Sequence, residues 1–369
     1  MRVALLTYST KPRGGVVHTL ALAEALARRG TDVHVWTLAR DGDRTFFRDV
    51  HPAVTVRAVP FEARDGEDVG ARIVRSIEVL RAAFAPARPS YDVVHAQDCI
   101  SANAAMPCVR TIHHLDQFTT PELAACHERA VVEPTARICV SRAVADEVTA
   151  GWGLVPAVIP NGVDAARFAA AAASHPVGGP WPDRLGRYVL ALGGIEPRKG
   201  SIDLLEAMAL VQRDAPDVRL VVAGGETLFD YRPYREAYDR RASELGVDLE
   251  VLGTVDDDAL PALVAGASAL GFTSTKEGFG LAAMEALAAR VPVVARDLPV
   301  LREVLGSAVT YASDPAGFAH GLACAVSGGG VDPEVGSRLA ASYTWDAAAR
   351  AHLDFYESCQ GVTARPTMV

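Results

Sequence analysis

The chain has 369 residues, of which 50% are hydrophobic and 22% are charged, and its formal net charge at pH 7 is −9. This length favours two globular domains over one, and the composition excludes extensive disorder. The acidic balance excludes nucleic acid as a general partner, because phosphate backbones are bound by basic surfaces. Six cysteines lack the spacing of a disulfide framework or a zinc site.

The N-terminal residues 1–7 read as a strand, too short for a signal peptide, and no apolar run in the sequence approaches the length of a membrane span. We therefore expect a cytoplasmic protein. A helical pattern at 72–81 offers a surface for peripheral membrane binding. Such a pattern is more typical of a surface helix packed on a sheet, so membrane association is the less favoured reading.

Apolar strand-like segments alternate with helical patterns through the first half of the chain. This alternation is typical of a doubly wound parallel sheet. The predicted strands are 2–7, 32–38, 54–59, 92–96, 108–112 and 136–140, and the predicted helices are 15–29, 70–84, 121–131 and 142–150.

A second β–α series begins at residue 187, and the segment 169–182 between the two series, rich in Ala, Gly and Pro, reads as a linker or loop. We predict two Rossmann-like domains facing a cleft, with the ligand at the carboxyl ends of the strands. The predicted strands are 187–192, 217–223, 248–252, 268–273 and 292–296. The predicted domains are an N-terminal domain at 1–165, a C-terminal domain at 183–342 and a capped final helix at 343–360.

The segment 273–295 places two glutamates around a glycine-flanked helix start. Gly278 and Gly280 allow a close backbone approach, and the N-terminus of the helix that follows suits an anion such as phosphate. Glu285 lies in a helix that is apolar on nearly every side, so its carboxylate needs a partner such as a ligand hydroxyl. The alternative is that Glu277 is a loop residue and Glu285 a structural glutamate.

Glu277 and Glu285 have seven residues between them, and this spacing with the Glu-Gly-Phe-Gly opening resembles the E-x7-E signature of retaining GT-B glycosyltransferases, above all family 4. The resemblance implies that Glu277 faces the donor hexose hydroxyls and that Glu285 holds the nucleotide ribose. It further implies backbone contacts to the sugar and diphosphate from Gly278, Phe279, Gly280 and Leu281.

The loop after the strand at 187–192 carries Arg198 and Lys199 beside a helix start, which suits a diphosphate. The alternative is a solvated turn with two surface cations. In the family an arginine commonly follows the first glycine of this loop, but this chain has Gly194 there. We therefore assign Lys199 to the phosphates and expect Arg198 to supply the second charge.

The first strand leads into Gly14 and Gly15, which match the family loop that approaches the donor diphosphate and acceptor. The absence of G-x-G-x-x-G here makes a nicotinamide-dependent dehydrogenase unlikely on sequence grounds. His113 closes a first-domain strand and resembles the family's T-x-H histidine, which contacts the donor sugar near its 6-position. His114 and Asp116 are expected to line the acceptor site.

Val255 follows the strand at 248–252 and corresponds to the nucleobase side of the family's pocket. The run 256–258 is three aspartates, which we interpret as a helix N-cap and not as the metal-binding D-x-D of another glycosyltransferase fold. No essential metal and no cofactor are expected. Arg290 stands where the family often ends a helix with glycine, which predicts a different cap or modest strain.

The resemblance covers nearly the whole chain and suggests an actinobacterial-like branch. It implies a retaining hexosyltransferase that uses a UDP- or GDP-linked sugar and a small-molecule or lipid acceptor, by a front-face mechanism with Lys199, Glu277 and His113 as catalytic residues. The alternatives are a sugar phosphorylase, a nucleotide-sugar epimerase or a non-catalytic nucleotide-sugar-binding protein.

Overall fold

The computed structural model describes residues 1–40, 42, 44–115, 121–174, 179–225 and 231–363, with side chains as far as Cys359. The chain divides into two compact units. The first unit contains Met1–Gly162 and Thr344–Val369, and the second contains Val163–Tyr343.

The first unit is built on a seven-stranded sheet whose neighbouring strands are all parallel. The strands are β1 (Arg2–Leu6), β2 (Asp32–Arg40), β3 (Val54–Phe61), β4 (Val93–Ala96), β5 (Val109–Ile112), β6 (Ala136–Cys139) and β7 (Ala157–Val158). Their order is β3-β2-β1-β4-β5-β6-β7. The helices after them are α1 (Gly14–Arg28), α2 (Val69–Phe84), α3 (Cys99–Ala105), α4 (Pro121–Val132) and α5 (Arg142–Trp152).

The second unit repeats this plan with a six-stranded parallel sheet in the order β10-β9-β8-β11-β12-β13. The strands are β8 (Arg187–Leu192), β9 (Val218–Ala223), β10 (Leu249–Gly253), β11 (Ala269–Phe272), β12 (Val293–Arg296) and β13 (Thr310–Ala312). The central strands read as continuous runs of Val, Leu and Ala because helices cover both faces of the sheet. The predicted fold class of two doubly wound parallel sheets is confirmed.

Nine α-helices are described in the second unit, and two of them correct a prediction. The segment 169–182 is not a loop: α6 (Ala165–Ser174) runs through its alanines and α7 (Pro180–Leu185) begins near its end. Alanine has the highest helix propensity, which outweighs the breakers at the end of the run. The other seven are α8 (Ser201–Asp214), α9 (Arg232–Leu245), α10 (Leu260–Ala265), α11 (Leu281–Ala288), α12 (Pro299–Leu305), α13 (Pro315–Val326) and α14 (Pro333–Ser342).

The last helix, α15 (Trp345–Thr363), belongs to the first unit and packs against α1. The Thr344 hydroxyl accepts a hydrogen bond from the amide of Ala347 over 3.1 Å and caps its start. The buried Tyr356 hydroxyl lies 2.7 Å from Nδ1 of His95 on β4. This polar contact ties the helix to the centre of the first sheet.

Two local predictions at helix ends have different outcomes. The aspartates at 256–258 do not cap a helix with their side chains: α10 has Ala259 at its N-cap, and the backbone carbonyl of Asp256 closes the preceding turn. The run is therefore a turn, one residue short of the capping position. Arg290 has a φ of 62°, which confirms the predicted strain, since this left-handed region disfavours residues with a side chain.

Candidate functional site

In the second unit, two loops at the carboxyl ends of neighbouring strands are joined by their backbones. One loop follows β8 and carries Arg198 and Lys199, and the other follows β11. The Thr275 amide donates to the carbonyl oxygen of Arg198 over 2.8 Å, and the Thr273 hydroxyl donates to that of Lys199 over 2.9 Å. These bonds hold the two cations beside the segment that carries the first predicted glutamate.

Lys199, Arg198 and Glu277 are brought together at this strand edge. Nζ of Lys199 donates to Oε1 of Glu277 over 2.7 Å, and Nη1 of Arg198 lies 3.5 Å from the same oxygen. Nη2 of Arg198 donates to the carboxylate of Glu196 over 3.1 Å. Glu196 was missed from the sequence, where only its position two residues before Arg198 hinted at a role. Positive and negative side chains therefore alternate in this cluster, and their contacts fix the positions of the Arg198 guanidinium group and the Lys199 ammonium group.

Burial alone raises the pKa of Glu277, but the charges of Lys199 and Arg198, with hydrogen bonds from Lys199 and Ser274, outweigh it and bring the pKa to about 2. The side chain is only 12% exposed. Glu277 is therefore an ionised, acceptor-only group at neutral pH. Lys199 gives one of its three N–H donors to Glu277, which leaves two for a ligand.

Two glycines shape the surroundings of these charges. Gly193 has a φ of 130°, and a Cβ there would lie 3.0 Å from Cε of Lys199, whose stem crosses this glycine. Gly280 has a φ of 95° and leads into α11. The first amides of a helix lack intrahelical partners, so this turn can bind an anion.

The predicted turn of Gly278, Phe279, Gly280 and Leu281 lies directly before or at the start of α11. The Phe279 ring is buried and meets the ring of Tyr343 edge to face, with centroids 5.4 Å apart. Its side chain therefore anchors the turn by packing, which leaves the backbone amides as the groups that can meet a ligand. Leu281 is the first residue of the helix.

Glu285 is a half-buried carboxyl group on α11. Burial, and then the negative charges of Asp257 and Asp164, raise its pKa to about 8, although Arg167 opposes the shift. Arg167 pairs with Asp257, with Nη2 and Oδ2 2.8 Å apart. Among the residues that the structure describes, none donates a hydrogen bond to this carboxylate. Its oxygen atoms are therefore available to accept a hydrogen bond from a ligand or from solvent.

Val255 lies in the loop after β10, which is two strands away from β8 in the sheet. It is therefore at the same carboxyl edge as Lys199 but farther along it. The side chain is half-buried. Val255 therefore lies outside the ion-pair cluster, and its predicted place beside the base stays a prediction.

In the first unit, the predicted residues Gly15 and His113 lie against each other. A Cβ on Gly15 would be 3.5 Å from Cδ2 of His113, and Gly14 is the exposed first residue of the same helix. Burial, followed by the charges of His18 and Arg110, holds the pKa of His113 well below its ordinary value. The ring is therefore neutral at neutral pH.

His18 supports His113 and was given no role in the sequence analysis. The two rings meet edge to face with centroids 4.7 Å apart, and Nδ1 of His18 lies 2.9 Å from Oδ1 of Asn161. Burial and then the charge of His352 lower the pKa of His18 to about 3. Its position in α1 shortly after the double glycine was the only signal in the sequence. Of the predicted acceptor residues, His114 is half-buried after β5, and Asp116 lies outside the described residues.

Within the described ranges, no group of three or more His, Cys, Asp or Glu side chains is arranged to hold a metal ion. No helix in that part of the chain combines the length and the apolar character that crossing a bilayer requires. All six cysteines are thiols and form no disulfide.

Both halves of the chain match family models. The model for glycosyl transferases group 1 matches residues 184–326, and the model for glycosyltransferase family 4 matches residues 12–167. A D-inositol 3-phosphate glycosyltransferase of Mycolicibacterium vanbaalenii is 31% identical over 96% of this chain and 89% of the relative. The chain belongs to glycosyltransferase family 4. A relative of the same name from Xylanimonas cellulosilytica is 30% identical over 99% of this chain and 98% of its own length.

Solved structures also resemble this family 4 glycosyltransferase in their fold. A sucrose-phosphate synthase from Thermosynechococcus elongatus has a TM-score of 0.75 at 18% identity, over 98% of this chain and 99% of its own. HepE of Anabaena, solved in complex with UDP-glucose, has a TM-score of 0.72 at 18% identity, over 97% and 100% of the two chains. The predicted GT-B fold and the predicted enzyme class are both confirmed.

Proposed function

We propose that this family 4 glycosyltransferase transfers a hexosyl group, with retention of configuration, from a UDP- or GDP-linked sugar to a hydroxyl group of a small-molecule or lipid acceptor. The observation that carries the proposal is the ion pair of Lys199 and Glu277 beside Arg198, with Glu285 on the helix that follows. HepE binds UDP-glucose, which supports a uridine-linked donor, and the name of the bacterial relatives supports a phosphorylated cyclitol as an acceptor to test.

In the second unit, Lys199 and Arg198 would donate to the diphosphate, together with the amides from Gly278 to Leu281. Charge-assisted hydrogen bonds of this kind contribute about 1.5 to 3 kcal/mol each. Glu277, ionised and acceptor-only, suits the hydroxyl groups of the hexose. Glu285 would accept from the ribose hydroxyls, and Val255 would lie beside the base.

In the first unit, the neutral ring of His113 suits a hydrogen bond to a sugar hydroxyl, because a neutral imidazole has one donor and one acceptor nitrogen. Gly14 and Gly15 would allow a substrate close to the start of α1. We assign the acceptor to the segment after β5, with His114 and Asp116 as its first candidates.

The mechanism requires no enzyme nucleophile. The bond between the anomeric carbon and the diphosphate oxygen breaks, the acceptor oxygen attacks the same face, and the departing diphosphate takes the acceptor's proton. Lys199 and Arg198 stabilise the charge that develops on the diphosphate, and Glu277 and His113 orient the sugar. These two cations supply the positive charge for departure, so we propose that turnover does not require a metal ion.

The first experiment is a thermal-shift screen with UDP, GDP, ADP and TDP and their common sugar conjugates. A ligand at a hundredfold its dissociation constant stabilises by about 2.7 kcal/mol. A shift confined to one nucleotide would identify the donor class. The absence of a shift with every nucleotide would contradict the proposal.

The second experiment measures turnover of the donor identified in this screen. Lys199→Ala should lower turnover by about 10² to 10³, by analogy with the loss of one charge-stabilising donor. Lys276→Ala is the matched control, because the neighbouring loop contacts Arg198 through the backbone carbonyl of Lys276. Near-normal turnover of Lys199→Ala would refute the assignment. Phosphate-dependent release of a sugar phosphate, or activity without an acceptor, would indicate a phosphorylase or an epimerase instead.

A further inference from the structure

The ring of His113 lies against one face of α1 in the first unit. Gly15 and His18 are three residues apart on this helix, so both belong to the same face. A Cβ on Gly15 would lie 3.5 Å from Cδ2 of His113. The rings of His18 and His113 have centroids 4.7 Å apart and planes inclined at 75°. The helix therefore meets His113 at two places, a glycine and an imidazole ring.

The His18 ring is held in one orientation by a hydrogen bond to Asn161. Nδ1 of His18 donates to Oδ1 of Asn161 over 2.9 Å, because an amide oxygen can only accept. Nε2 of His18 is buried and has no partner among the residues that the structure describes. Asn161 follows β7 and is 5% exposed, and His18 is fully buried. Rotation of the His18 ring would break this bond, and an unpaired buried oxygen costs free energy.

The start of α15 packs on the His18 ring from another side. Trp345 is the first residue of this helix, and its ring meets that of His18 edge to face with centroids 5.4 Å apart. The ring of His352, on the same helix, lies 6.1 Å from His18. Burial and then the charge of His352 lower the pKa of His18 to about 3, so the ring is neutral at neutral pH. Packing and one hydrogen bond, and not charge, therefore place His18.

The His113 ring depends on these neighbours for its own position. Its Nε2 atom is buried and has no hydrogen-bond partner within the described ranges, so this nitrogen does not anchor the ring. A group that orients a reacting sugar has to be placed closely, since a misplacement of about 1 Å can cost about 10² in rate. Neighbours whose own orientation is locked by packing and hydrogen bonds provide such placement.

We propose that His18 is a positioning residue for the glycosyl transfer: Asn161 orients its ring, and this ring holds His113 where a nitrogen of the second imidazole meets the donor sugar. This role rests on the proposed function, because it takes His113 to contact the sugar. His18 itself touches no substrate and acts only through His113. Its removal should therefore lower turnover and leave the nucleotide contacts of the second unit in place.

The kinetic test is a double-mutant cycle of His18→Ala and His113→Ala, with release of UDP from UDP-glucose as the measured rate. We expect His18→Ala to lower kcat by about 10² and to change the KM for UDP-glucose by less than about threefold. In a protein that already carries His113→Ala, the same change should alter kcat by less than about twofold. An equal loss of kcat in both backgrounds would overturn the role, because it would mean that His18 only supports the fold.

Two further variants separate the ring contact from its support. Asn161→Ala keeps the His18 ring but removes the hydrogen-bond acceptor, so kcat should fall, by less than in His18→Ala. His34→Ala is the matched control. Nδ1 of His34 lies 2.7 Å from the Tyr91 hydroxyl, and the two rings meet edge to face, but β2 is three strands away from β5 in the sheet. This control should keep kcat within about twofold of the wild type.

A second measurement needs no substrate and uses the carbon-13 NMR signals of the histidine rings in the full-length protein. The His113 signal is assigned by its loss in His113→Ala. We expect it to shift in His18→Ala and in Asn161→Ala and to keep its position in His34→Ala. An unchanged His113 signal in both of the first two variants would overturn the role of His18. If His18→Ala does not fold, Asn161→Ala carries both measurements.

The outcomes also separate this role from the proposed function. If His113→Ala lowers kcat while His18→Ala and Asn161→Ala leave it unchanged, the role of His18 is overturned and the proposed function stands. If the wild type releases no UDP, or if His113→Ala is as active as the wild type, the proposed contact of His113 with the sugar fails. The NMR comparison then still decides whether His18 holds the His113 ring.

Discussion

Replacing Glu285 by Gln should stabilise the protein at neutral pH. The pKa of Glu285 is raised from 4.5 to about 8, chiefly by burial. Because the folded-state pKa is raised, the contribution of Glu285 to stability is complete below pH 4.5 and is lost as the pH rises towards 8. Each pH unit costs about 1.4 kcal/mol, so the 2.5 units up to pH 7 amount to about 3 kcal/mol. Gln does not titrate, and the variant should escape this loss.

The assay is calorimetric or urea-induced unfolding of both proteins at pH 5, 6, 7 and 8 without ligand. The gap between them should be below about 1 kcal/mol at pH 5 and widen to about 3 kcal/mol at pH 7. Glu236→Gln is the matched control, because Glu236 is exposed on α9 and its replacement should open no such gap. A gap that does not change with pH, or a wild type that is more stable throughout, would refute the reasoning.

The same variant separates stability from ligand binding. If Glu285 accepts from a ribose, Glu285→Gln should lose most of the nucleotide-induced thermal shift while its unliganded melting temperature rises. A full nucleotide shift in the variant would remove Glu285 from the donor site without affecting the stability argument. A gain in unliganded stability together with a loss of nucleotide binding is expected where a polar group is retained for function at a cost to the stability of the fold.

Three further changes test other parts of the structure. The pKa values of the buried His18 and His352 are lowered to about 3 and about 4. The free energy of unfolding should therefore fall as the pH drops below 6.5, by about 1.4 kcal/mol per pH unit for each ring. The test is urea-induced unfolding of Glu285→Gln, which lacks the titration of Glu285. A urea midpoint that does not change between pH 6.5 and pH 4.5 would contradict the prediction. Arg290→Gly should raise the free energy of unfolding by about 1 kcal/mol, because it removes the strain of the left-handed backbone. Its control, Glu334→Gln, breaks only the exposed ion pair with Arg290 and should change the free energy of unfolding by less than about 1 kcal/mol. Gly162→Ala would put a methyl carbon 2.3 Å from the first backbone nitrogen of α15, so its melting temperature should fall by several degrees, and an unchanged value would refute this packing.

The strands were the most predictable part of the fold, because buried parallel strands are continuous apolar runs with turn residues at each end. Most predicted boundaries lie within one or two residues of the observed ones. The helix α3 was missed because its seven residues are too few to show a helical period. Its signal was the pair Asp98 and Ser101, which form a capping box.

The site was predictable where its residues share a sequence motif and unpredictable where packing assembles it. Arg198, Lys199 and Glu277 lie in two loops whose glycines and charges are visible in the sequence. Arg167 and Asp257, which act on Glu285, come from separate segments, and only the packing of α6, α10 and α11 brings them together. No local pattern encodes such a contact, and the same limit explains why the support of His113 by His18 was not foreseen.

The division of the first unit between the two ends of the chain has a consequence for biosynthesis. The second unit is one continuous segment, so it can fold as soon as that segment has left the ribosome. The first unit begins earlier in the chain but lacks α15 until residues 345–363 have been synthesised. Until then the partners of Tyr356 and Trp345 on its sheet and first helix stay uncovered. The domain that is translated first is therefore the one that is completed last, and chains released before residue 344 expose the face that α15 covers in the finished protein.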